Sequence, residues 1–331
     1  MSVARPLNNF TERIPQLSSI YLRLSVTDNC NLRCIYCRPE KNECVAPKTR
    51  PALTPQEFCE LVLALNRAIP IRKIRFTGGE PLIYPRLEEL IALISAKLPN
   101  AELCLTTNGC GLANRTAELK KGGLKRINIS LDSIEEDKFH IISRGGLLKK
   151  VVAGISAAKR AGFERIKINT VLLRSLNGEQ LTELVRFAGD NGCEIRFIEL
   201  MPFGEGGRIY SREFLPAVEA MRRLKANFEY LGERGRSGTS VRHIFRESGR
   251  EIAVGFITPV SHPFCGGCDR FRLDCRGWLF SCLRFEKGVD LFSANLAGGV
   301  KRVEAMLRRA IDAKRPPGFD YPEREMWSIG G

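Results

Sequence analysis

Residues 20–37 read IYLRLSVTDNCNLRCIYC, in which an alternating apolar stretch runs directly into three cysteines. The alternation over residues 20–26 predicts a β-strand. Cys30, Cys34 and Cys37 follow that strand with the spacing C-x3-C-x2-C. In a sheet built from βα units, the loops that follow the strands form the active site. The stretch therefore predicts a group of functional thiols at the carboxyl end of the first strand.

The chain repeats this strand-then-helix pattern as far as residue 224. Short apolar runs predict further strands at residues 71–76, 101–107, 124–131, 165–173 and 193–200. Segments of helical periodicity occur at residues 55–68, 86–97, 114–121, 147–161, 178–190 and 211–224. Six consecutive βα units predict an α/β fold with a parallel sheet and right-handed crossovers. Six is fewer than the eight units of a closed barrel, so a partial barrel and an open doubly wound sheet both fit the pattern.

The sequence changes character after about residue 225. Residues 232–240, GERGRSGTS, are predicted to form a loop, and residues 241–247 and 250–257 to form a hairpin. A segment rich in Cys, Gly and Arg follows, and then a helix is predicted around residues 292–312. We therefore expect a core over residues 14–230 and a separate C-terminal region over residues 231–331.

Composition limits the classes of function. The chain has 331 residues, 44% of them apolar, and no run approaches the roughly 18 apolar residues of a membrane span. The N-terminus has neither a signal-peptide nor a transit-peptide pattern, which favours a cytoplasmic protein with reduced thiols. Twelve cysteines in such a protein indicate metal or redox chemistry. The net charge of +15 fits nucleic acid, a small polyanionic substrate or a plain solvated surface.

Three thiols are one fewer than a closed zinc site requires, and the nearest further cysteine is Cys44. On a four-iron cluster, three thiolates leave one iron open to a small molecule. A second group combines Cys265 and Cys268 with the later Cys275 and Cys282. Its spacing fits a four-cysteine zinc ribbon and a second three-thiolate cluster equally well.

Two arginines follow the second cysteine pair at alternate positions. If their segment is extended, the side chains of Arg270 and Arg272 point the same way. Two guanidinium groups beside an open metal position suit a ligand that carries phosphate.

The three-cysteine spacing, the aromatic Tyr36 and the TGGEP stretch at residues 77–81 are similar to the motifs of radical S-adenosylmethionine (SAM) enzymes. The whole chain resembles the GTP 3′,8-cyclase family. The resemblance extends to LTTNG (105–109), INISLDS (127–133), ISRGG (142–146), IKINTVLLR (166–174), RFIELMPFG (196–204), FCGGCDRFRLDCRGWLFSCL (264–283) and the terminal SIGG (328–331). The chain departs from the family at Arg38, where methionine is common, and at Asp274 and Cys275.

The resemblance implies a partial (β/α)6 barrel of the radical SAM type, with a C-terminal extension that carries a second cluster. It implies two [4Fe–4S] clusters, the first held by Cys30, Cys34 and Cys37. The family's C-x2-C-x13-C spacing assigns the second to Cys265, Cys268 and Cys282 and leaves Cys275 outside the ligand set.

The reaction that the resemblance implies begins at the open iron of the first cluster, which would chelate SAM. Electron transfer would then give a 5′-deoxyadenosyl radical that removes the 3′ hydrogen of GTP. The ribose radical would attack C8 of guanine to form (8S)-3′,8-cyclo-7,8-dihydroguanosine 5′-triphosphate. This lyase reaction is the first step of molybdenum cofactor biosynthesis. The implied partners are a flavodoxin- or ferredoxin-type electron donor, the downstream cyclic pyranopterin monophosphate synthase and a second copy of the chain.

Site residues follow by matching motif positions. The implied SAM contacts are Tyr36, Gly79, Ser130 and Met201. The implied GTP contacts are Arg23, Arg75, Thr106, Lys167, Arg270, Phe271 and Arg272, of which Arg23, Arg75, Lys167, Arg270 and Arg272 are expected to be catalytic. The resemblance also implies that the tail Gly330–Gly331 reaches the active site.

The positions of three cations in the predicted strands indicate an anion site independently of the resemblance. Arg23, Arg75 and Lys167 all lie in predicted strands, and inward-facing strand residues of a barrel meet on its axis. A cationic interior is costly unless an anion fills it, and a triphosphate would do so.

Two other functions fit parts of the sequence. One is a radical SAM enzyme that modifies RNA or a peptide, and the other is a non-enzymatic zinc protein that binds nucleic acid. The chain shows no appended RNA-binding module, so no nucleic-acid partner is expected. It has no apolar run long enough for a membrane span, so no membrane partner is expected either. The scattered histidines are assigned no metal, and buried inert thiols are expected for the remaining cysteines: His140, His243, His262; Cys44, Cys59, Cys104, Cys110, Cys193.

Overall fold

A computed structural model describes residues 17–40, 50–284 and 287–314. Its strands are β1 (Ile20–Ser25), β2 (Ile71–Thr77), β3 (Glu102–Thr107), β4 (Arg126–Ser130), β5 (Ile166–Leu172), β6 (Glu194–Glu199), β7 (Glu229–Ser237), β8 (Ser240–Glu247), β9 (Arg250–Ile257), β10 (Arg270–Leu273), β11 (Trp278–Phe280) and β12 (Val289–Asp290). Its α-helices are α1 (Pro55–Ala68), α2 (Leu87–Lys97), α3 (Thr116–Lys121), α4 (Glu136–Ser143), α5 (Leu148–Arg160), α6 (Leu181–Asp190), α7 (Glu205–Glu213), α8 (Ala217–Asn227) and α9 (Leu291–Asp312).

All strands of the described residues belong to one sheet, in the order β12-β11-β10-β1-β2-β3-β4-β5-β6-β9-β8-β7. Strands β1 to β6 are neighbours in chain order and pair in parallel. This arrangement confirms the six predicted βα units, and the fold is an α/β partial barrel. At its two edges the C-terminal region adds β9 parallel to β6 and β10 parallel to β1.

The core lies between the strands and the surrounding helices. In β1, Leu22 and Leu24 are fully buried on the helix side, and Tyr21 and Arg23 alternate with them on the inner face. Helix α1 begins at a capping box: Glu57 N donates to Thr54 Oγ1, and Thr54 N donates to the Glu57 carboxylate. Such a cap contributes about 1 kcal/mol, because it satisfies N–H groups that the first helical turn leaves unpaired.

Two local predictions were wrong, and one helix was missed. The helix predicted over residues 211–224 is divided between α7 and α8, because Pro216 cannot donate within a helix and disfavours helical geometry at the preceding residue. Residues 232–240, predicted as a loop, lie largely in β7, whose glycines do not prevent its pairing with β8. Helix α4 was not predicted.

The hairpin between β8 and β9 is confirmed. Ser248 and Gly249 have φ values of 50° and 78°, the left-handed pair that a tight two-residue hairpin turn requires. The predicted helix near residues 292–312 is confirmed as α9, which bends at Gly299, where φ is 54°. The division into regions 14–230 and 231–331 stays a prediction, although strands from both regions share one sheet.

Two sequence predictions lie outside the described residues, namely the role of Cys44 and the approach of the Gly330–Gly331 tail to the active site. Within the described part of the chain, no helix combines the length and the apolar character needed to cross a bilayer.

Candidate active site

The first cysteine loop follows β1 and is held against the end of α4. The Ile35 amide donates to the Ile142 carbonyl at 2.9 Å, and the Arg33 amide donates to the Ser143 carbonyl at 3.1 Å. Within the loop, the Cys37 amide donates to the Cys34 carbonyl at 2.8 Å. These backbone bonds fix the loop, so that the three thiols sit on a rigid turn at the carboxyl end of the sheet.

The three thiols affect one another electrostatically. Burial raises the pKa of the Cys34 thiol well above its ordinary value, and the charges of Asp132, Cys37 and Cys30 raise it further. Bringing three thiolates together is therefore unfavourable unless a cationic group accompanies them. Among the described residues, no three ligating side chains converge closely enough to hold a single metal ion. An iron–sulfur cluster, in which each thiolate binds a different iron, does not need such convergence.

The loop after β2 lies directly against the cysteine loop. The Gly79 amide donates to the Thr27 carbonyl at 2.7 Å, and the Glu80 amide donates to the Asn29 carbonyl at 2.7 Å. A Cβ atom on Gly79 would lie 2.0 Å from the Asn29 carbonyl oxygen. Only glycine allows the two loops to approach this closely.

Glu80 joins the ends of β2 and β3. Its buried carboxylate accepts hydrogen bonds from Thr107 Oγ1 at 2.6 Å, the Asn108 amide at 2.7 Å and the Leu82 amide at 3.0 Å. Burial raises the pKa of Glu80 to about 7, despite these donors. Glu80 was not among the predicted site residues, although its place within the TGGEP motif was an available signal.

Tyr36 links the cysteine loop to β4 and β5. Its hydroxyl donates to Asp132 Oδ2 at 2.6 Å, and the Val171 amide donates to Asp132 Oδ1 at 2.8 Å. Burial raises the pKa of Asp132 to about 6. Tyr36 also packs against a small buried cluster that contains Leu200, the neighbour of Met201. The four predicted SAM contacts thus lie at the carboxyl ends of strands or in the loops that follow them: Tyr36, Gly79, Ser130 and Met201.

Below this end of the sheet, arginines line the inner face. The register places Arg23 of β1 beside Arg75 of β2 on one side and Arg272 of β10 on the other. Arg270, two residues before Arg272 on β10, pairs in register with Tyr21. Its segment is a strand, which meets the condition under which Arg270 and Arg272 point the same way. Strand β10 is what completes the group, because it brings two arginines from the C-terminal region onto the edge of the barrel.

Arg75 is 5% exposed and is held in place by several acceptors. Its Nη1 atom donates to the Leu105 carbonyl at 3.0 Å and to Thr106 Oγ1 at 3.1 Å, and its Nε donates to the Tyr21 hydroxyl. The predicted GTP contacts Arg75 and Thr106 therefore touch each other.

The neighbouring cations disfavour one another's charge. Burial and the charges of Arg75 and Arg270 lower the pKa of Arg23 to about 10, although Tyr21 opposes this shift. Burial and the charges of Arg23 and Arg270 lower the pKa of Arg272 well below its ordinary value. Such a group becomes more stable when an anion binds among its members.

A second cationic group lies across the sheet. Glu194 Oε1 accepts from Lys167 Nζ at 2.7 Å and from Arg196 Nε at 2.7 Å. Ser237 Oγ, on β7, accepts from both cations, at 3.1 Å from Lys167 and 2.8 Å from Arg196. Sequence reasoning found Lys167 and missed Arg196 and Glu194, whose alternation within β6 was the available signal.

The second cysteine set gathers where β10 begins and β11 ends. Burial raises the pKa of Cys265, and the charges of Cys282 and Cys268 raise it further, so the three thiols share one electrostatic environment. Burial alone would raise the pKa of Cys268, but the charges of Arg270 and Lys314 outweigh it and the pKa is lowered. Arg270 Nε donates to Cys268 Sγ at 3.4 Å.

Cys275 lies apart from this set. Its side chain is fully buried in the apolar core, where burial raises its pKa to about 11. The charged groups that act on it are Arg276, Asp28 and Asp274, not the other cysteines. The arrangement favours three ligands over the four-thiolate zinc site that the spacing left open.

Most of the chain matches known protein families. The Radical SAM superfamily model matches residues 24–188, and the Molybdenum Cofactor Synthesis C model matches residues 193–319. A GTP 3′,8-cyclase of Paracoccus denitrificans is 42% identical over 313 residues, which cover 92% of this chain and 89% of that protein. One from Clostridium botulinum is 40% identical over 271 residues, 82% of this chain and 83% of that protein. The chain belongs to the GTP 3′,8-cyclase family.

Solved structures support the fold alone. Streptococcus suis SuiB bound to the precursor peptide SuiA has a TM-score of 0.59 at 14% identity, covering 87% of this chain and 67% of that one. The residues present fit the cofactors of the GTP 3′,8-cyclase family, which are two [4Fe–4S] clusters and SAM. Each set supplies three neighbouring thiols, the number that leaves one iron open.

In this member of the GTP 3′,8-cyclase family, an ion pair joins the turn between β10 and β11 to the first cysteine loop. Arg276 Nη2, in that turn beside Cys275, donates to Asp28 Oδ2 at 2.8 Å in the first loop, and Arg276 Nε donates to the Arg50 carbonyl at 3.1 Å. Arg38, where the family commonly has methionine, donates to the Asp28 carbonyl. The two arginines therefore brace Asp28, two residues before Cys30.

One predicted GTP contact lies differently from the rest. Phe271 is fully buried in the core, because alternation within β10 turns it away from Arg270 and Arg272. Of the unassigned cysteines that the structure describes, Cys59, Cys104 and Cys193 are buried and Cys110 is partly exposed.

The pKa of Lys167 predicts how the stability of the ligand-free protein depends on pH. Burial and the charge of Arg196 lower this pKa from 10.5 to about 8, although Glu194 opposes the shift. Between about pH 8 and pH 10.5 the unfolded chain keeps a proton that the folded protein has released, so the free energy of unfolding should rise with pH. In Lys167→Met, the free energy of unfolding measured with urea should lack most of this rise, because the titrating ammonium is absent. Glu194 still has Arg196 as its partner, so the substitution leaves no unpaired carboxylate.

The matched control is Lys120→Met, which removes an exposed lysine that donates to the Gly162 carbonyl. This variant should keep the pH dependence of the unmodified protein. If Lys167→Met and Lys120→Met gave the same slope over this pH range, the buried ammonium would not be the source of the effect.

Proposed function

We propose that this chain catalyses, in the cytoplasm, the radical SAM-dependent cyclisation of GTP to (8S)-3′,8-cyclo-7,8-dihydroguanosine 5′-triphosphate, the first step of molybdenum cofactor biosynthesis. The observation that carries the proposal is the register of Arg272, Arg23 and Arg75 on three adjacent strands of the inner face. Arg75 and Arg272 are buried and Arg23 between them is half-buried. Such a group, between two cysteine sets, is suited to a polyanion that must lie close to both.

The two cysteine sets and the other site residues have different proposed roles. Cys30, Cys34 and Cys37 would hold the first cluster, and Cys265, Cys268 and Cys282 the second. When bound, the clusters and SAM supply the electron and the carbon radical that removes the ribose 3′ hydrogen. The protein itself binds, orients and shields the reactants.

The arginines and Lys167 would hold the triphosphate by charge-assisted hydrogen bonds, which fix the ribose relative to the SAM end of the barrel. Tyr36, Gly79, Ser130 and Met201 would define that end. Such positioning matters for a primary radical, because effective proximity decides whether the intended hydrogen is the one removed.

The decisive experiment uses GTP deuterated at the 3′ position in a single anaerobic turnover with reconstituted protein, SAM and reductant. Mass spectrometry should find deuterium in 5′-deoxyadenosine and a cyclised nucleotide in equal amount. GTP with ordinary hydrogen at the 3′ position is the matched control for background exchange. Deuterium that stays in GTP while SAM is cleaved would contradict the proposal and favour an RNA or peptide substrate, and a protein that contains zinc in place of iron would contradict it outright.

The proposal includes an electron donor of the flavodoxin or ferredoxin type, which would dock beside the first cysteine loop. Three large apolar side chains there are more than a third exposed, namely Ile83, Ile141 and Leu147. Ile83 closes the turn that begins after Glu80, Ile141 precedes the carbonyls that hold the cysteine loop, and the Leu147 amide bonds to Cys110.

Two exposed lysines beside these apolar residues, Lys149 and Lys150, offer an attachment point for an acidic partner. The acidic residues 135–137 precede them at the start of α4, and the Glu136 carboxylate accepts from the Leu148 amide, so the lysines are the basic part of a mixed surface. Complementary charge accelerates the encounter of two proteins. The double substitution Lys149→Glu/Lys150→Glu should slow cluster reduction by an acidic flavodoxin at least about tenfold at low salt and leave reduction by dithionite unchanged.

The control for that experiment is Lys301→Glu/Arg302→Glu, which makes the same change in net charge on exposed positions of α9, a helix that packs on α1. Equal slowing by the two double variants would show that only net charge matters and would contradict the proposed docking surface.

A homodimer and consumption of the product by cyclic pyranopterin monophosphate synthase complete the proposal. Light scattering tests the first, and a coupled assay with that synthase tests the second.

A further inference from the structure

Lys314 is a buried lysine that neither the motifs nor the family resemblance indicated. It follows α9 and is 7% exposed. Its ammonium donates to the Arg270 carbonyl at 3.1 Å and lies 4.3 Å from the ring centroid of Phe271. Both contacts are on β10, the strand that carries the inner-face arginines, so Lys314 touches that strand from its core side.

The charges around Lys314 belong to the second cysteine set. After burial, the strongest influences on the ammonium are the thiols of Cys268 and Cys282, followed by Arg270 and, more weakly, Asp269. Among the described residues, Lys314 forms no ion pair with a carboxylate. A buried ammonium is costly without an opposite charge, so a negative group is expected beside it.

We propose that Lys314 is the fixed counter-charge of the second cluster, placed to stabilise its reduced state and to hold β10 against it. The inference rests on the second cluster of the proposed function. Three thiolates give a four-iron cluster a net negative charge, and reduction adds one more negative charge. Lys314 bonds to the carbonyl of Arg270, whose Nε donates to Cys268 Sγ at 3.4 Å, so its charge lies next to the ligands of this cluster. A buried cation at this position favours the reduced form, because hydrogen bonds and net charge near the sulfur atoms set the potential.

The test compares reconstituted Lys314→Met and Lys314→Arg with the unmodified protein in an EPR-monitored redox titration. Lys314→Met keeps the apolar stem and loses the charge, whereas Lys314→Arg keeps the charge. At the midpoint potential of the unmodified second cluster, Lys314→Met should lower the ratio of reduced to oxidised cluster about tenfold, a shift of about 59 mV to lower potential. Lys314→Arg should stay within about threefold of the unmodified ratio.

Two internal references sharpen the measurement. The first cluster of the same molecules should keep its potential in every variant, because its cysteines lie on another loop. Lys225→Met removes an exposed ammonium that also sits on an aromatic ring, at 4.0 Å from Tyr230, and should change neither cluster.

An unchanged second-cluster potential in Lys314→Met would overturn the inference, as would an equal shift in Lys314→Arg, since size and not charge would then be responsible. Loss of the second cluster from Lys314→Met with retention in Lys314→Arg would support the counter-charge role. If the unmodified protein itself binds only one cluster, the proposed function fails first, so the two failures are distinguishable by iron analysis before any titration.

Discussion

Cys34→Ala is expected to lower the iron content of anaerobically reconstituted protein from about eight to about four atoms per chain and to abolish SAM cleavage. Cys34 is the middle ligand of the first set, and burial and the adjacent cysteines raise the pKa of its thiol. Two remaining thiolates leave two irons without protein ligands, so the cluster should not persist. Iron and sulfide analysis, with chromatography of 5′-deoxyadenosine, measures both effects.

Cys110→Ala is the matched control, because the charge of Cys30 influences the pKa of Cys110, although Cys110 is not part of the three-cysteine motif. It should keep both clusters and most of the SAM cleavage. If Cys34→Ala kept about eight irons and still cleaved SAM, the assignment of Cys34 as a ligand of the first cluster would be wrong. Equal losses in the two variants would point to general damage at this loop.

Arg272→Met is expected to separate substrate binding from stability. The lowered pKa of Arg272 means that the folded protein holds this cation at a cost, and Arg23 and Arg270 contribute to that cost. Removing the charge should leave the ligand-free protein as stable as before, or more stable. Affinity for GTP should fall about 10- to 100-fold, since a hydrogen bond between charged groups contributes about 1.5–3 kcal/mol.

Calorimetric titration of unreduced protein with GTP measures the affinity, and thermal unfolding with and without GTP measures the stability. Arg246→Met serves as the control, because it removes an arginine from β8 that pairs with Glu229 and Glu251 near the surface, both at 3.3 Å. That variant should bind GTP normally. A fall in stability of Arg272→Met without a change in GTP affinity would make Arg272 a structural residue.

Much of the barrel could be predicted because its signals are local. Alternation in residues 20–26 and in the later apolar runs reflects one buried face per strand, and the structure has a strand at each of these runs. The errors arose where local signals conflict with pairing. The glycines of residues 232–240 suggest a loop, yet β8 supplies hydrogen bonds that make the segment a strand.

The candidate site divides in the same way. The grouping of Cys30, Cys34 and Cys37 follows from spacing alone, because three residues in one short loop cannot move far apart. The exclusion of Cys275 does not follow from spacing. It depends on the turn between β10 and β11, which places this side chain in the core.

The six βα units and the cysteine loop after the first strand are local features, so the pattern of neighbouring residues was enough to predict them. The pairing of β10 with β1, the positions of Arg272 and Arg75 on either side of Arg23, and the bond from Lys314 to Arg270 could be found only in the folded protein. The physical reason is that these contacts join distant parts of the chain. Their partners are selected by sheet pairing and helix packing, which no local pattern specifies.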